Sequence, residues 1–129
     1  MTALDTFEHG PRGTRQSILE RTLEQTPGLR SILWMSDQGE VFQAVGEGTE
    51  ALERVASFAK GVFDLGSRLV QGAGCGEERL CLLQASAGLV AMHRVDDETF
   101  VLALADESAR HGTLLYGLDG CIEALAMLQ

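Results

Sequence analysis

"SILWMSDQGEVFQAVGEG", residues 31–48, holds two short apolar runs on either side of an Asp-Gln-Gly-Glu break. In Leu29 to Ser36, Leu29, Leu33 and Met35 fall on one face of an extended chain, and Ile32 and Trp34 on the other. A strand apolar on both faces is one that is covered on both. "DQGE" then turns the chain, Gly39 being free to take positive φ, into a second strand from Val41 to Val45. A hairpin with a two-faced first strand calls for helices above and below it, and the rest of the chain supplies them.

Upstream, residues 1–13 are polar and interrupted by "HGPRG", which reads as a flexible N-terminal tail ahead of one domain at 14–129. Thr14 or Ser17 is a candidate cap for a first helix carrying Ile18, Leu19 and Leu23 and stopping before Pro27-Gly28. Downstream, Thr49 reads as the N-cap of a long helix, with Leu52, Val55, Ala56, Ala59, Phe63 and Gly66 at helical spacing toward Leu69 and Val70. "QGAGCGEE" ends it with a glycine at C′. Three strand-like runs follow, Arg79–Gln84, Leu89–Val95 and Phe100–Ala105, joined by the short breaks "ASAG" and "DDET". From Ser108 onward Leu114, Leu118, Ile122 and Leu125 restore helical periodicity. Glycines 112, 117 and 120 weaken that helix, and close approach to the sheet would justify them. The order is α-β-β-α-β-β-β-α, an α+β sandwich. Phe100–Ala105, like Leu29–Met35, is apolar on both faces and belongs mid-sheet.

Composition narrows the function. The 129 residues carry a formal net charge of −9 and 45% apolar residues, with a sequence pI near 4.6 and mean hydropathy of +0.05. That acidity disfavours nucleic acid and anionic membrane surfaces as partners. No run approaches the roughly 18 apolar residues needed to span a bilayer, and "MTALDTFEHG" lacks the basic and apolar regions of a secretory signal. Cys75, Cys81 and Cys121 form no CxxC pair, so the expectation is a reduced, cytoplasmic protein with packed thiols.

Fragments of catalytic patterns occur and fall short. "GAGCG" at 72–76 is glycine-rich, but Glu77-Glu78 follows where a phosphate loop needs Lys-Ser/Thr. Ser86 in "ASAG" sits between strands rather than on a strand-to-helix elbow. Cys75, Cys81 and His93 match no common zinc spacing, and neither His93 nor His111 has a carboxylate at fixed helical spacing. Trp34 reads as core, and Asp96-Asp97-Glu98 as a solvated turn. The expectation is a protein with no catalytic residue, no cofactor and no metal.

The middle helix asks for something more. Apolar side chains from Glu50 to Val70 fill an arc of about 180°, against the roughly 100° stripe that one sheet covers. One edge of the arc holds Phe58, Val62, Leu65 and Leu69; the other holds Leu52, Ala56, Phe63 and Val70. Either loops shelter the surplus, or a second copy does so across a two-fold axis. "RLCLLQ" at 79–84, with neither Pro nor Lys to block strand addition, favours the second copy.

This element order, with "PGLRSILWMSDQGEVFQA" ahead of the long helix, resembles the roadblock (dynein light-chain) family. The matching features are Pro27-Gly28 before the first strand, the Asp37-Gln38-Gly39 turn, the small residues Ala56, Ala59 and Gly66, and the final "FVLALADESARHGTLLYGLDGCIEAL". The likeness runs from Ser17 to Leu128. It implies a three-layer sandwich, a five-stranded antiparallel sheet in order 2-1-5-4-3 with one helix on one face and two on the other. It also implies homodimers formed through the middle helix and third strand, here through Phe58, Val62, Leu65, Leu69, Leu80 and Leu82. The family's members are non-catalytic partners of small Ras-like GTPases, in bacterial polarity systems among others. Arg54, Ser57, Lys60, Asp64 and Arg68 would then face the GTPase, with no residue placed as an arginine finger. The acidic, glycine-rich "QGAGCGEE" departs from the family pattern. A different class stays open: a small-molecule sensor of profilin/PAS-like type, which would need an internal apolar pocket of some hundreds of Å³.

Overall fold

A computed structural model describes the backbone of residues 3–128 and the side chains of 14–128. The elements are α1 (Ala3–Gln25), β1 (Leu29–Ser36), β2 (Val41–Gly46), α2 (Thr49–Gly72), β3 (Leu80–Ala85), β4 (Gly88–Arg94), β5 (Thr99–Asp106) and α3 (His111–Ala126). The strands form a five-stranded sheet in order β2-β1-β5-β4-β3, every pairing antiparallel. The two strands apolar on both faces, β1 and β5, lie side by side near its middle, as their patterns require.

Alternation along those strands sorts the core into two layers. Ile32, Trp34, Val101, Ala103 and Ala105 meet Ile18 and Leu19 of α1 and Leu114, Leu118, Cys121 and Leu125 of α3. Leu33, Met35, Met92, Phe100 and Leu102 meet Leu52, Ala56, Ala59 and Phe63 of α2. One helix therefore covers one face and two cover the other. Leu29 corrects the alternation read from sequence. A register shift between Leu29 and Ser31 turns its side chain into the α1/α3 layer, away from Leu33 and Met35.

The turns follow from local chemistry. Ser36 Oγ accepts from the backbone N–H groups of Gln38 (3.2 Å) and Glu40 (3.0 Å), while Gly39 takes φ of +93°. The Asp37 N–H donates to the Glu98 carbonyl at 2.7 Å, stitching the β1–β2 and β4–β5 turns together. Thr49 is not the N-cap expected. Gly48, at φ +73°, takes that place without a side-chain cap, its carbonyl accepting from the N–H groups of Ala51 and Leu52. The far end closes as a Schellman motif. Cys75 N–H donates to Val70 O at 2.8 Å and Gly74 N–H to Gln71 O at 3.0 Å, with Gly74 at φ +77°.

Two further differences lie in the outer helices. Helical backbone begins at Ala3, upstream of both Thr14 and Ser17; the tail assigned to residues 1–13 concerns side chains outside the described residues. α3 begins at His111 rather than Ser108, because Asp106 Oδ1 holds the Ser108 N–H (2.8 Å) and hydroxyl in a turn. Those two bonds also hold the Asp106 carboxyl below its ordinary pKa. Nor do the α3 glycines approach the sheet: Gly117 sits against Thr26, while Gly112 and Gly120 border open space.

Candidate protein interface on α2 and β3

The α2 face turned to the sheet is fully used by Leu52, Ala56, Ala59 and Phe63. Beside it runs a second apolar row at alternating steps of four and three: Ala51, Val55, Phe58, Val62, Leu65 and Leu69. Among the described residues, none covers Phe58, Leu65 or Leu69. Phe58 is 70% exposed, Leu65 67% and Leu69 74%, with Val62 half-buried at the edge of the core. Four of the six residues expected at a dimer contact thus lie on one row, three of them open to water.

β3 brings the second part of the surface. It is an edge strand, paired among the described residues only with β4. Leu82 packs toward the α1/α3 layer, and Leu80, two residues before it, shares that side. The β3 side chains on the α2 side are Cys81 and Leu83, the latter 46% exposed and paired in register with Val90. Leu80 and Leu82, expected at a dimer contact, thus lie on the side of β3 away from α2, and Leu83 on the α2 side. Its only signal was strand parity, which the pairing with β4 fixes.

Glu78 joins helix and strand. It is buried just ahead of β3, with its carboxylate against the backbone of Gly66, where a Cβ would displace that carboxylate. Burial pushes its pKa up, and Arg94 opposes that rise. Arg94 itself stacks over the Phe63 ring at 4.6 Å and donates to the carbonyls of Asp96 (3.2 Å) and Asp97 (3.3 Å). Burial likewise raises the Cys81 thiol, with Glu78 adding to the effect.

The polar side of α2 carries all five residues expected to face a GTPase. Arg54, Ser57, Asp64 and Arg68 are exposed and Lys60 partly so. Lys60 Nζ pairs with Asp64 at 2.8 Å, which raises the lysine's pKa. Away from this surface, His93 Nε2 lies 3.1 Å from Asp119 Oδ1, and His93 Nδ1 3.0 Å from the Arg94 carbonyl. The pair fastens α3 to β4 across a separation of 26 residues that no local pattern discloses. A groove of about 560 Å³ lies between α1 and α3, bordered by Thr22, Thr26, Gly117 and Gly120. It is outside the sandwich, not the internal pocket that a sensor of profilin/PAS-like type would need. No helix among the described residues is long and apolar enough to cross a membrane.

No protein-family model and no curated protein matches the sequence. Solved structures do match in shape. The gliding protein MglB from Thermus thermophilus superposes with a TM-score of 0.83 at 20% identity, over 92% of this chain and 90% of that one. An MglB in a tetrameric arrangement gives 0.83 at 20%, over 92% and 89%. A Roadblock/LC7 domain from Streptomyces avermitilis gives 0.77 at 18%, over 85% and 92%. Strand order, layering and these superpositions agree that the chain has the fold shared by MglB and the Roadblock/LC7 domains.

Proposed function

We propose that this chain is a non-catalytic, homodimeric regulator that binds a small Ras-like GTPase in a bacterial cytoplasm and modulates its nucleotide state or location. The observation that carries the reading is the open apolar row of α2 in a chain whose β3 is also an edge strand. A monomer gains nothing from holding Phe58, Leu65 and Leu69 in water, whereas a twin chain gains their burial. The dimer buries α2 against its counterpart and joins the two β3 edges, with residues 14–129 as the interacting unit. The polar side of α2, with Arg54, Ser57, Lys60, Asp64 and Arg68, meets the GTPase. Similarity in fold to MglB supports this reading, as does the tetrameric arrangement of one MglB.

The test is a pull-down with the small GTPase encoded nearest its gene, loaded in turn with GDP and GTP. Binding that depends on the nucleotide supports the proposal. Equal failure with both forms removes the GTPase from it, and light scattering showing a stable monomer at micromolar concentration removes the dimer.

A further inference from the structure

The groove between α1 and α3 lies across the sheet from α2, and three residues along it cost their own helix stability. Gly120 stands inside α3, where glycine is unfavourable, yet a Cβ there would meet nothing within 4 Å. Asp119 and Glu123 are one turn apart, a like-charge spacing that weakens a helix. Glu123 also falls in the last turn, which carries no basic residue and where the helix dipole disfavours an anion. Packing within the chain explains none of the three.

The charges along the groove are also unanswered. His93 holds Asp119 Oδ1, but among the described residues no ion pair reaches Glu123 or Arg21, the guanidinium that α1 brings to the groove. Opposite charges therefore border one space from two helices without closing on each other. Thr26, in the same lining, is 2% exposed, and its hydroxyl has no partner among the described residues. That hydroxyl is turned to Gly117, so only a glycine of the groove wall stands between it and the open space. Ile18 and Ala124 add apolar wall, and the exposed ring of Tyr116 stands at the border. A volume of about 560 Å³ is within the range that small ligands fill.

We infer that this groove binds a zwitterionic small molecule of the amino-acid class, free or as a short peptide, with an apolar side chain. Its carboxylate pairs with the Arg21 guanidinium, whose forked N–H donors suit that group. Its ammonium lies by Asp119 and Glu123 and relieves their repulsion, while its side chain covers Ile18, Ala124 and the Tyr116 ring. A plain anion would be opposed by the α3 carboxylates and a plain cation by Arg21, so a ligand carrying both charges suits the groove best. The site lies on the sheet face opposite α2 and stands apart from the dimeric reading.

Calorimetric titration of the full chain tests this with four probes at millimolar concentration: leucine, the dipeptide Leu-Leu, N-acetylleucine and leucinamide. Leucine or Leu-Leu should bind. The two blocked forms, each lacking one charge, should bind at least about tenfold more weakly, as should Leu or Leu-Leu to Arg21→Gln. Binding by leucine alone identifies a free amino acid as the ligand, and by Leu-Leu alone a peptide. Glu123→Gln and Gly120→Leu give the second readout. Both should raise the melting temperature of the free protein, Gly120→Leu by about 3 °C, and both should weaken or abolish binding. No binding by leucine or Leu-Leu overturns the site, and equal binding of the blocked forms overturns its charge selectivity. A fall in melting temperature in both variants would show that these residues serve the fold, and would overturn the inference as well.

Discussion

Leu65→Asp separates the folding of the subunit from its pairing. Leu65 is 67% exposed, so the isolated fold has little to lose, within about 0.5 kcal/mol for a surface substitution. Pairing has much more at stake. Full burial of a leucine side chain contributes about 1.5–3 kcal/mol. With two-thirds of the side chain still open, a twin supplies about 1–2 kcal/mol of that per copy. Aspartate forfeits this gain and leaves an unpaired carboxylate in a dry seam, a cost of about 3–5 kcal/mol. The two-fold axis doubles both effects, for a total of about 8 kcal/mol or more, equivalent to a Kd weakened by over about 10⁵. Sedimentation velocity over a wide concentration range should show a monomer. Urea unfolding of that monomer should show a cooperative transition with the ordinary dependence on denaturant. A variant that sediments with wild type as a dimer would refute the seam, and one that fails to fold would place Leu65 in the subunit's own interior.

Gly46→Ala should destabilise the fold by about 2–4 kcal/mol, read as a lower urea midpoint at unchanged slope. Gly46 holds φ of +108°, and a Cβ there would come within 2.7 Å of Ser31 Cα and closer still to the Arg30 carbonyl oxygen. Glu78→Gln should stabilise the protein at neutral pH, with the gain fading in acid. Burial holds the Glu78 carboxyl above its ordinary value of 4.5, so the folded state favours the protonated form. Its contribution is complete below the unfolded value and is lost as pH rises through the folded one. Thermal melts of both proteins at acidic and neutral pH measure the difference, and a gain that is the same at both would refute it.

The parts of the fold that sequence disclosed are those written in local period. Leu29–Ser36 needs no tertiary knowledge, because apolar residues on both faces and a Pro-Gly before them fix it as a buried strand. The width of the α2 arc was likewise legible, since helical spacing alone separates the Phe58 row from the Leu52 row. What escaped depends on partners distant in sequence or on backbone that no side chain marks. Leu29 changes face through a register shift against β5. Gly48 replaces Thr49 as cap because the turn's positive φ angles, not a hydroxyl, start the helix. On β3, Leu80 and Leu82 are as apolar as Cys81 and Leu83, and only the register with β4 decides which pair lies beside α2.

Long-range contacts also relate the helix to the β3 end of the sheet. Glu78 leads directly into β3 and lies against Gly66, one residue beyond Leu65 of the open row. A Cβ at Gly66 would displace the Glu78 carboxylate, and Arg94, stacked on Phe63, ties the end of β4 to the helix's buried face. Phe58, Leu65 and Leu69 are therefore not isolated residues stranded in solvent. They sit in a fixed relation to an edge strand with free backbone groups, and a single twin chain can satisfy both at once. A lone helical ligand would shelter the row and leave the edge unpaired, whereas an added strand would pair the edge and leave the row wet. Of the three, only a second copy of this chain offers a row and an edge held in the same fixed relation.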